Sequence, residues 1–122
     1  IWEGMISLKK ISNKEFFVAH TLFIWMMYIL MFWIVKFSIT ETASLGMNAM
    51  IPAFVIGGLS ISATNGGIGI YPYSVSLVLI AYGVSNESSL AFGWIIWTCQ
   101  TLMVATFGAM AFFALPLVNR QK

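Results

Sequence analysis

The residues best suited to bind a ligand lie in one glycine-rich stretch, which runs from Thr64 to Pro72. Its three glycines tolerate positive φ angles, and the apolar runs on either side favour one helix that ends there and another that begins there. Helix ends leave backbone N–H and C=O groups unpaired, and the N–H groups at a helix start attract phosphate or carboxylate. The sequence therefore predicts a site for a polar or anionic group at this stretch.

The side chains around the glycines predict binding without catalysis. Thr64, Asn65 and Tyr71 are hydrogen-bond donors, and Gln100 places a carboxamide inside another apolar run, where it needs a polar partner. The chain has one histidine, one cysteine and no aspartate, so we predict no catalytic group, metal or cofactor. A tight turn between packed helices is the alternative interpretation of the glycines. The predicted substrate-binding residues are Thr64, Asn65, Gly66, Gly67, Gly69, Tyr71 and Gln100.

The composition predicts a membrane protein. Hydrophobic residues make up 60% of the chain and charged residues 8%, with a mean hydropathy of +0.91. A soluble domain typically has about 25% charged residues. The net charge of +2 is too small to indicate nucleic acid as a partner. Because the sequence begins at Ile1 rather than at methionine, we interpret it as a piece of a longer chain.

The hydropathy pattern divides the chain into seven segments. The apolar runs 16–37 and 90–115 are each long enough to cross a bilayer, which takes about 20 residues. Between them lies a broken block, 47–82, that contains the glycine-rich stretch and is too short for two full spans. The other segments are a basic connector (1–15), outer loops (38–46 and 83–89) and a basic tail (116–122).

The distribution of charge predicts that both ends of the chain lie on the cytoplasmic side. Cytoplasmic flanks carry an excess of Lys and Arg, whereas the two inner loops carry Glu41 and Glu87 without any basic residue. Two full spans return the chain to its starting side, so 47–82 must cross the bilayer an even number of times. We therefore predict an all-α polytopic membrane protein in which two full transmembrane helices flank a Gly-rich re-entrant helical hairpin. Two short, tilted spans are the alternative.

The order of these features resembles the C-terminal part of a known family. The segments that carry the resemblance are Gly66-Gly67-Ile68-Gly69, Ala81-Tyr82-Gly83-Val84 and Ala91-Phe92-Gly93-Trp94. They are similar to the lysylphosphatidylglycerol synthase transmembrane-region family of flippase-like integral membrane proteins. Two positions depart from the pattern of that family. Thr64 and its neighbours stand where the family often has a proline, and Pro72 stands where it often has an acidic residue.

The resemblance implies a non-enzymatic lipid flippase or transporter in the inner or plasma membrane, expected to be the bacterial cytoplasmic membrane. The partners expected from the sequence itself are the lipid bilayer, an anionic lipid headgroup at the helix ends and the rest of the same chain, without nucleic acid; a homo-oligomer is left open. Two other functions are also open. A membrane scaffold or accessory subunit would use the glycine-rich stretch only for packing. A lipid-modifying transferase would need clustered Asp, Glu or His.

Overall fold

The computed structural model describes residues 14–119, with side-chain surroundings for 14–116. This part of the chain is all-helical, and two of its helices are long and apolar enough to span a membrane, as the sequence predicts. A short 3-10 turn, Lys36–Ser38, follows the first helix. The helices are α1 (Lys14–Val35), α2 (Thr40–Ala43), α3 (Met47–Ala63), α4 (Ile70–Ala81) and α5 (Asn86–Asn119).

The two long helices, α1 and α5, run antiparallel. The ring of Phe32, near the end of α1, lies 5.2 Å from the ring of Phe92, near the start of α5. Farther along, Phe23 and Phe107 line one pocket between the same helices. The connections 36–46 and 82–85 consequently lie together at one end of the bundle, which we call the loop end.

Helices α3 and α4 form a hairpin that packs against α5. Two glycines allow the close approach of these helices. A Cβ atom on Gly57 of α3 would lie 2.6 Å from Cε2 of Tyr71, and one on Gly93 of α5 would lie 2.6 Å from Cα of Pro72. The core is therefore built around α4. It consists of Phe32, Met50, Ala53, Tyr71, Val75, Leu79, Val84, Phe92 and Ile96.

Local capping explains why the second loop is shorter than the predicted 83–89. The amide of Gly83 (φ 89°) donates to Ile80 and that of Val84 donates to Leu79, which ends α4 in a left-handed turn. Ser85 then starts α5: its Oγ accepts from the amide of Ser88 at 3.3 Å. Helix α5 therefore begins four residues before residue 90, where the sequence predicts that the span starts.

The predicted bounds differ from the helices at other points as well. The loop predicted at 38–46 contains the single turn of α2. Helix α5 continues beyond 115 through Pro116 to Asn119, since a proline near a helix end removes only one backbone hydrogen bond. Residues 1–13 of the predicted connector and 120–122 of the predicted tail lie outside the described residues.

Candidate functional site

Residues 64–69 form the turn between α3 and α4, which we call the hairpin tip. Gly66, Gly67 and Gly69 have φ angles of 82°, 70° and 76°, in the region that side-chain-bearing residues rarely adopt. Gly67 is also crowded: a Cβ atom there would lie 3.0 Å from Ile61 Cγ1 and 3.1 Å from Tyr71 Cβ. The tip thus depends on glycine for its backbone conformation and, at Gly67, for packing as well.

The Thr64 side chain stabilises the turn, and its hydroxyl has no hydrogen left to donate to a ligand. Its hydroxyl donates to the carbonyl of Ser60 at 2.6 Å and accepts from the amide of Gly67 at 3.1 Å. Its own carbonyl accepts from the amide of Gly66 at 3.0 Å. The predicted role of this side chain as a donor to a substrate is replaced by a structural one, because the turn uses the hydroxyl both as donor and as acceptor.

The start of α4 offers fewer backbone donors to an anion than the sequence suggests. The amide of Tyr71 donates to the carbonyl of Gly67 at 2.8 Å, and Pro72 has no N–H. The Tyr71 ring is 2% exposed and packs on Gly57, so it belongs to the core. Asn65, in contrast, is exposed at the tip and free to meet a solute.

The hairpin tip is attached to α5 about a third of the way along that helix. The indole Nε1 of Trp97 donates to the carbonyl of Gly66 at 2.9 Å. Trp97 lies about 16 Å along α5 from Asn86, at about 1.5 Å per residue. A groove of about 460 Å³ opens beside this contact. It is lined by Ile61, Gly66, Ile68, Trp97, Gln100, Thr101, Val104 and Ala105.

Gln100 borders a second pocket on the other side of the tip. This pocket, of about 240 Å³, lies between α1 and the hairpin, and Tyr71 also lines it. The structure therefore brings Gly66, Trp97 and Gln100 together, while Thr64 and Gly67 serve the turn itself. Ile24 and Tyr28 of α1 also line the second pocket. The sequence carries no signal for them, since residues 22–35 of α1 are apolar on every face.

A separate polar cluster joins the two connections at the loop end. One Glu41 oxygen accepts from the Ser85 amide at 2.8 Å, and the other accepts from the hydroxyls of Ser85 and Ser88 at 3.0 and 2.9 Å. These hydrogen bonds, the Ser85 amide first, hold the pKa of Glu41 below its ordinary value of 4.5. Glu41 thus fastens the α1–α3 connection to the first turn of α5.

Lys36 strengthens the same connection from inside. Its side chain is 5% exposed, and Nζ donates to the carbonyl of Leu45 at 2.8 Å. Nζ also lies 3.7 Å from the ring centroid of Trp33, within the range of a cation–π interaction. Tyr82 adds a third link by donating its hydroxyl to the carbonyl of Asn48 at 2.7 Å. Hydrogen bonds at the loop end therefore join the two connections to each other and join residue 82 to the start of α3.

The arrangement suits binding better than acid–base chemistry. His20 lies near the start of α1 and Glu41 follows its end, so these two groups are a helix length apart. Within residues 14–119 no three His, Cys, Asp or Glu side chains come together. The tip presents the Asn65 side chain and backbone groups, and the neighbouring part of α5 presents the Gln100 carboxamide to a mainly apolar groove.

Comparison of the chain with protein-family models, with curated proteins and with solved structures found no match.

Proposed function

We propose that this chain is the C-terminal region of a lipid flippase or transporter, with α3, the hairpin tip and α4 forming a re-entrant hairpin. The observation that carries the proposal is the hydrogen bond from Trp97 to Gly66. It fixes the tip about 16 Å along α5, and the hydrocarbon core of a bilayer is about 30 Å thick. A hairpin entering from the loop end would then reach the middle of the membrane.

The length of α4, which is too short to cross a hydrocarbon core about 30 Å thick, supports this geometry. At about 1.5 Å per residue, α1 is about 33 Å long and α5 about 51 Å, whereas α3 is about 26 Å and α4 about 18 Å. Both ends of the hairpin also lie at the loop end, where Tyr82 contacts Asn48. In the proposed orientation the loop end faces outwards and the start of α1 and the end of α5 are cytoplasmic, as the positive-inside rule favours.

The groove beside the tip is the proposed path of a polar headgroup. Irregular backbone at bilayer depth is tolerated where protein or a watery cavity covers it, and such backbone often forms transport sites. Gln100, which lines the groove, and Asn65, which is exposed on the tip next to Gly66, can each donate hydrogen bonds to the phosphate of a lipid headgroup. This proposal is compatible with the resemblance to the lysylphosphatidylglycerol synthase transmembrane-region family, in which the chain would belong to a flippase-like protein.

Translocation of fluorescent lipids by the protein in proteoliposomes tests the proposal. Gln100→Leu removes the carboxamide at nearly constant size, and Thr98→Val is the matched control on an exposed face of α5. Loss of one hydrogen bond to a charged group costs about 1.5–3 kcal/mol, so the rate should fall roughly tenfold or more for Gln100→Leu and little for Thr98→Val. Equal rates for the two variants would contradict the proposal.

A non-transporting scaffold is the second candidate, and the structural use of Thr64 and Gly67 favours it. A scaffold needs the tip only for packing, so the wild-type protein should then move no lipid. Variants at the tip would change the thermal stability of the protein or the capture of a partner. The proteoliposome assay separates the two functions, because only the transporter gives translocation that Gln100→Leu reduces without lowering the melting temperature.

A further inference from the structure

The pocket between α1 and the hairpin, which Gln100 and Tyr71 both line, is also lined by a second tyrosine, Tyr28. We call it the tyrosine pocket. Helices α1, α3, α4 and α5 all contribute to it, through Tyr28, Gly58, Tyr71 and Gln100 respectively. Gln100 lies about one helical turn beyond Trp97, the α5 residue that contacts the hairpin tip. The tyrosine pocket therefore lies at the level of the tip.

Three polar groups of the tyrosine pocket have no hydrogen-bond partner among residues 14–119. They are the hydroxyls of Tyr28 and Tyr71 and the carboxamide of Gln100, none of which takes part in a side-chain hydrogen bond within that range. Tyr71 is only 2% exposed, and the other two residues are half-buried. Buried polar side chains are nearly always hydrogen-bonded, either to protein or to ordered water. The pocket therefore needs a polar occupant.

The volume and the lining of the tyrosine pocket favour water as that occupant. The pocket measures about 240 Å³, and a water molecule takes about 30 Å³ in the liquid, so several fit. None of the described side chains that line it carries a charge, which disfavours an ion. Each hydroxyl and the carboxamide can both donate and accept, so a few waters can bond to all three groups. Lipid hydrocarbon offers these groups neither a donor nor an acceptor.

Gly58 leaves room for the waters on the α3 side of the pocket. A Cβ atom on Gly58 would meet no atom within 4 Å, whereas one on Gly57 would lie 2.6 Å from Cε2 of Tyr71. The two neighbouring glycines thus have different roles. Gly57 lets the ring of Tyr71 pack against α3, and Gly58 borders the open space beside that ring.

We propose that the tyrosine pocket binds a cluster of water molecules, which Tyr28, Tyr71 and Gln100 hold inside the bundle at the level of the hairpin tip. This inference goes beyond the proposed function and shares only the membrane orientation with it, since water at this site suits a transporter and a scaffold alike. Irregular backbone at bilayer depth is tolerated where it lines a watery cavity. The cluster would therefore also stabilise the tip at that depth.

Transfer of proton polarisation from water to the protein, measured by solid-state NMR in liposomes of deuterated lipid, tests the inference. The signals of Gly58 and Leu59 are compared, because these neighbours on α3 share one depth. Leu59 is 59% exposed and does not line the pocket. Tyr71→Phe and Gln100→Leu each remove a polar group from the pocket. Tyr73→Phe, at an exposed position of α4, is the matched control.

In the wild type and in Tyr73→Phe we expect faster transfer from water to Gly58 than to Leu59. A protein that carries both Tyr71→Phe and Gln100→Leu should lose this difference, because two of the three groups that hold the waters are gone. Equal transfer to the two residues in the wild type, whether slow or fast, would overturn the water site, and this comparison needs no variant to fold. A difference that survives in the double variant would overturn it as well. Absence of lipid translocation would instead refute the proposed function and leave the water site intact.

Discussion

Gly67 shows most directly how single residues determine the hairpin tip. Its φ angle of 70° excludes most side chains, and Ile61 and Tyr71 fill the space that a Cβ atom would need. Gly66, next to it, has a φ angle of 82° with open space around it. Substitutions at the two glycines can therefore distinguish the free energy of backbone strain from that of a steric clash.

Alanine at the two positions should destabilise the protein by different amounts. Gly66→Ala adds only the strain of a left-handed backbone, about 1–2 kcal/mol. Gly67→Ala adds the same strain and overpacks the contact with Ile61 and Tyr71, which costs roughly 1–3 kcal/mol more. Thermal unfolding in detergent should show a clearly lower melting temperature for Gly67→Ala. Equal decreases in melting temperature would mean that Ile61 and Tyr71 can move aside for the added methyl group.

Glu41 predicts a pH dependence of stability. Its pKa is lower in the folded protein than the ordinary 4.5, so its contribution is complete above about pH 4.5 and is lost as the pH falls through the folded-state pKa. The wild-type melting temperature should therefore drop as the pH is lowered from about 5 to about 3. Glu41→Gln should be less stable at neutral pH and depend less on pH in that range.

The matched control is Glu87→Gln, since Glu87 lies exposed in the first turn of the same α5 helix and has no part in the Glu41 cluster. It should keep the pH dependence of the wild type. If Glu41→Gln and Glu87→Gln follow the same pH profile as the wild type, Glu41 does not fasten α5 in solution.

At the scale of elements, the contact of α4 with α5 depends on Gly93. A Cβ atom there would lie 2.6 Å from the backbone of Pro72, which cannot move without displacing α4. Gly108, farther along the same helix, has no atom in the way of a Cβ. The two glycines of α5 thus form a natural comparison between a packed and an open helix face.

Gly93→Ala should destabilise the protein by roughly 1–3 kcal/mol or more because α4 must move away from α5. Gly108→Ala should be neutral or stabilise it by up to about 1 kcal/mol, since alanine has the higher helix propensity. Thermal unfolding followed by circular dichroism compares the two variants. A Gly93→Ala protein as stable as Gly108→Ala would show that the helices are farther apart than the structure has them.

Some features of the helices could be predicted from the sequence, and others depend on contacts between residues that are distant in the chain. Length and hydropathy were enough for α1, α5 and the break at the glycines, since spans and breakers are local patterns. Helix α5 begins before the predicted span, because Ser85 acts as its cap with the help of Glu41, which is distant in sequence. The sequence predicts that Thr64 and Tyr71 face a ligand. It does not show that the turn uses the Thr64 hydroxyl or that the core buries Tyr71.

At the scale of the whole molecule, residues 14–119 form a closely packed three-helix unit, α3–α5, with α1 against it and the two connections joined by hydrogen bonds at the loop end. The clustering of Glu41, Ser85 and Ser88 puts both inner connections at the same end, which the even-crossing argument requires. The proposed function requires that the hairpin stops halfway through a bilayer. The contact of Gly66 with Trp97 makes that claim measurable.

The most direct test is the bilayer depth of a nitroxide at the tip. The label is attached to Asn65→Cys, after the exposed Cys99 is replaced by serine, and its depth is measured by power saturation in liposomes. Ser44→Cys and Glu15→Cys, at opposite ends of the bundle, serve as references. We expect the label at position 65 to lie near the bilayer centre, about 15 Å from either edge of the hydrocarbon core. A label at the depth of Glu15→Cys would mean that α3 and α4 are two complete spans and would contradict the re-entrant hairpin.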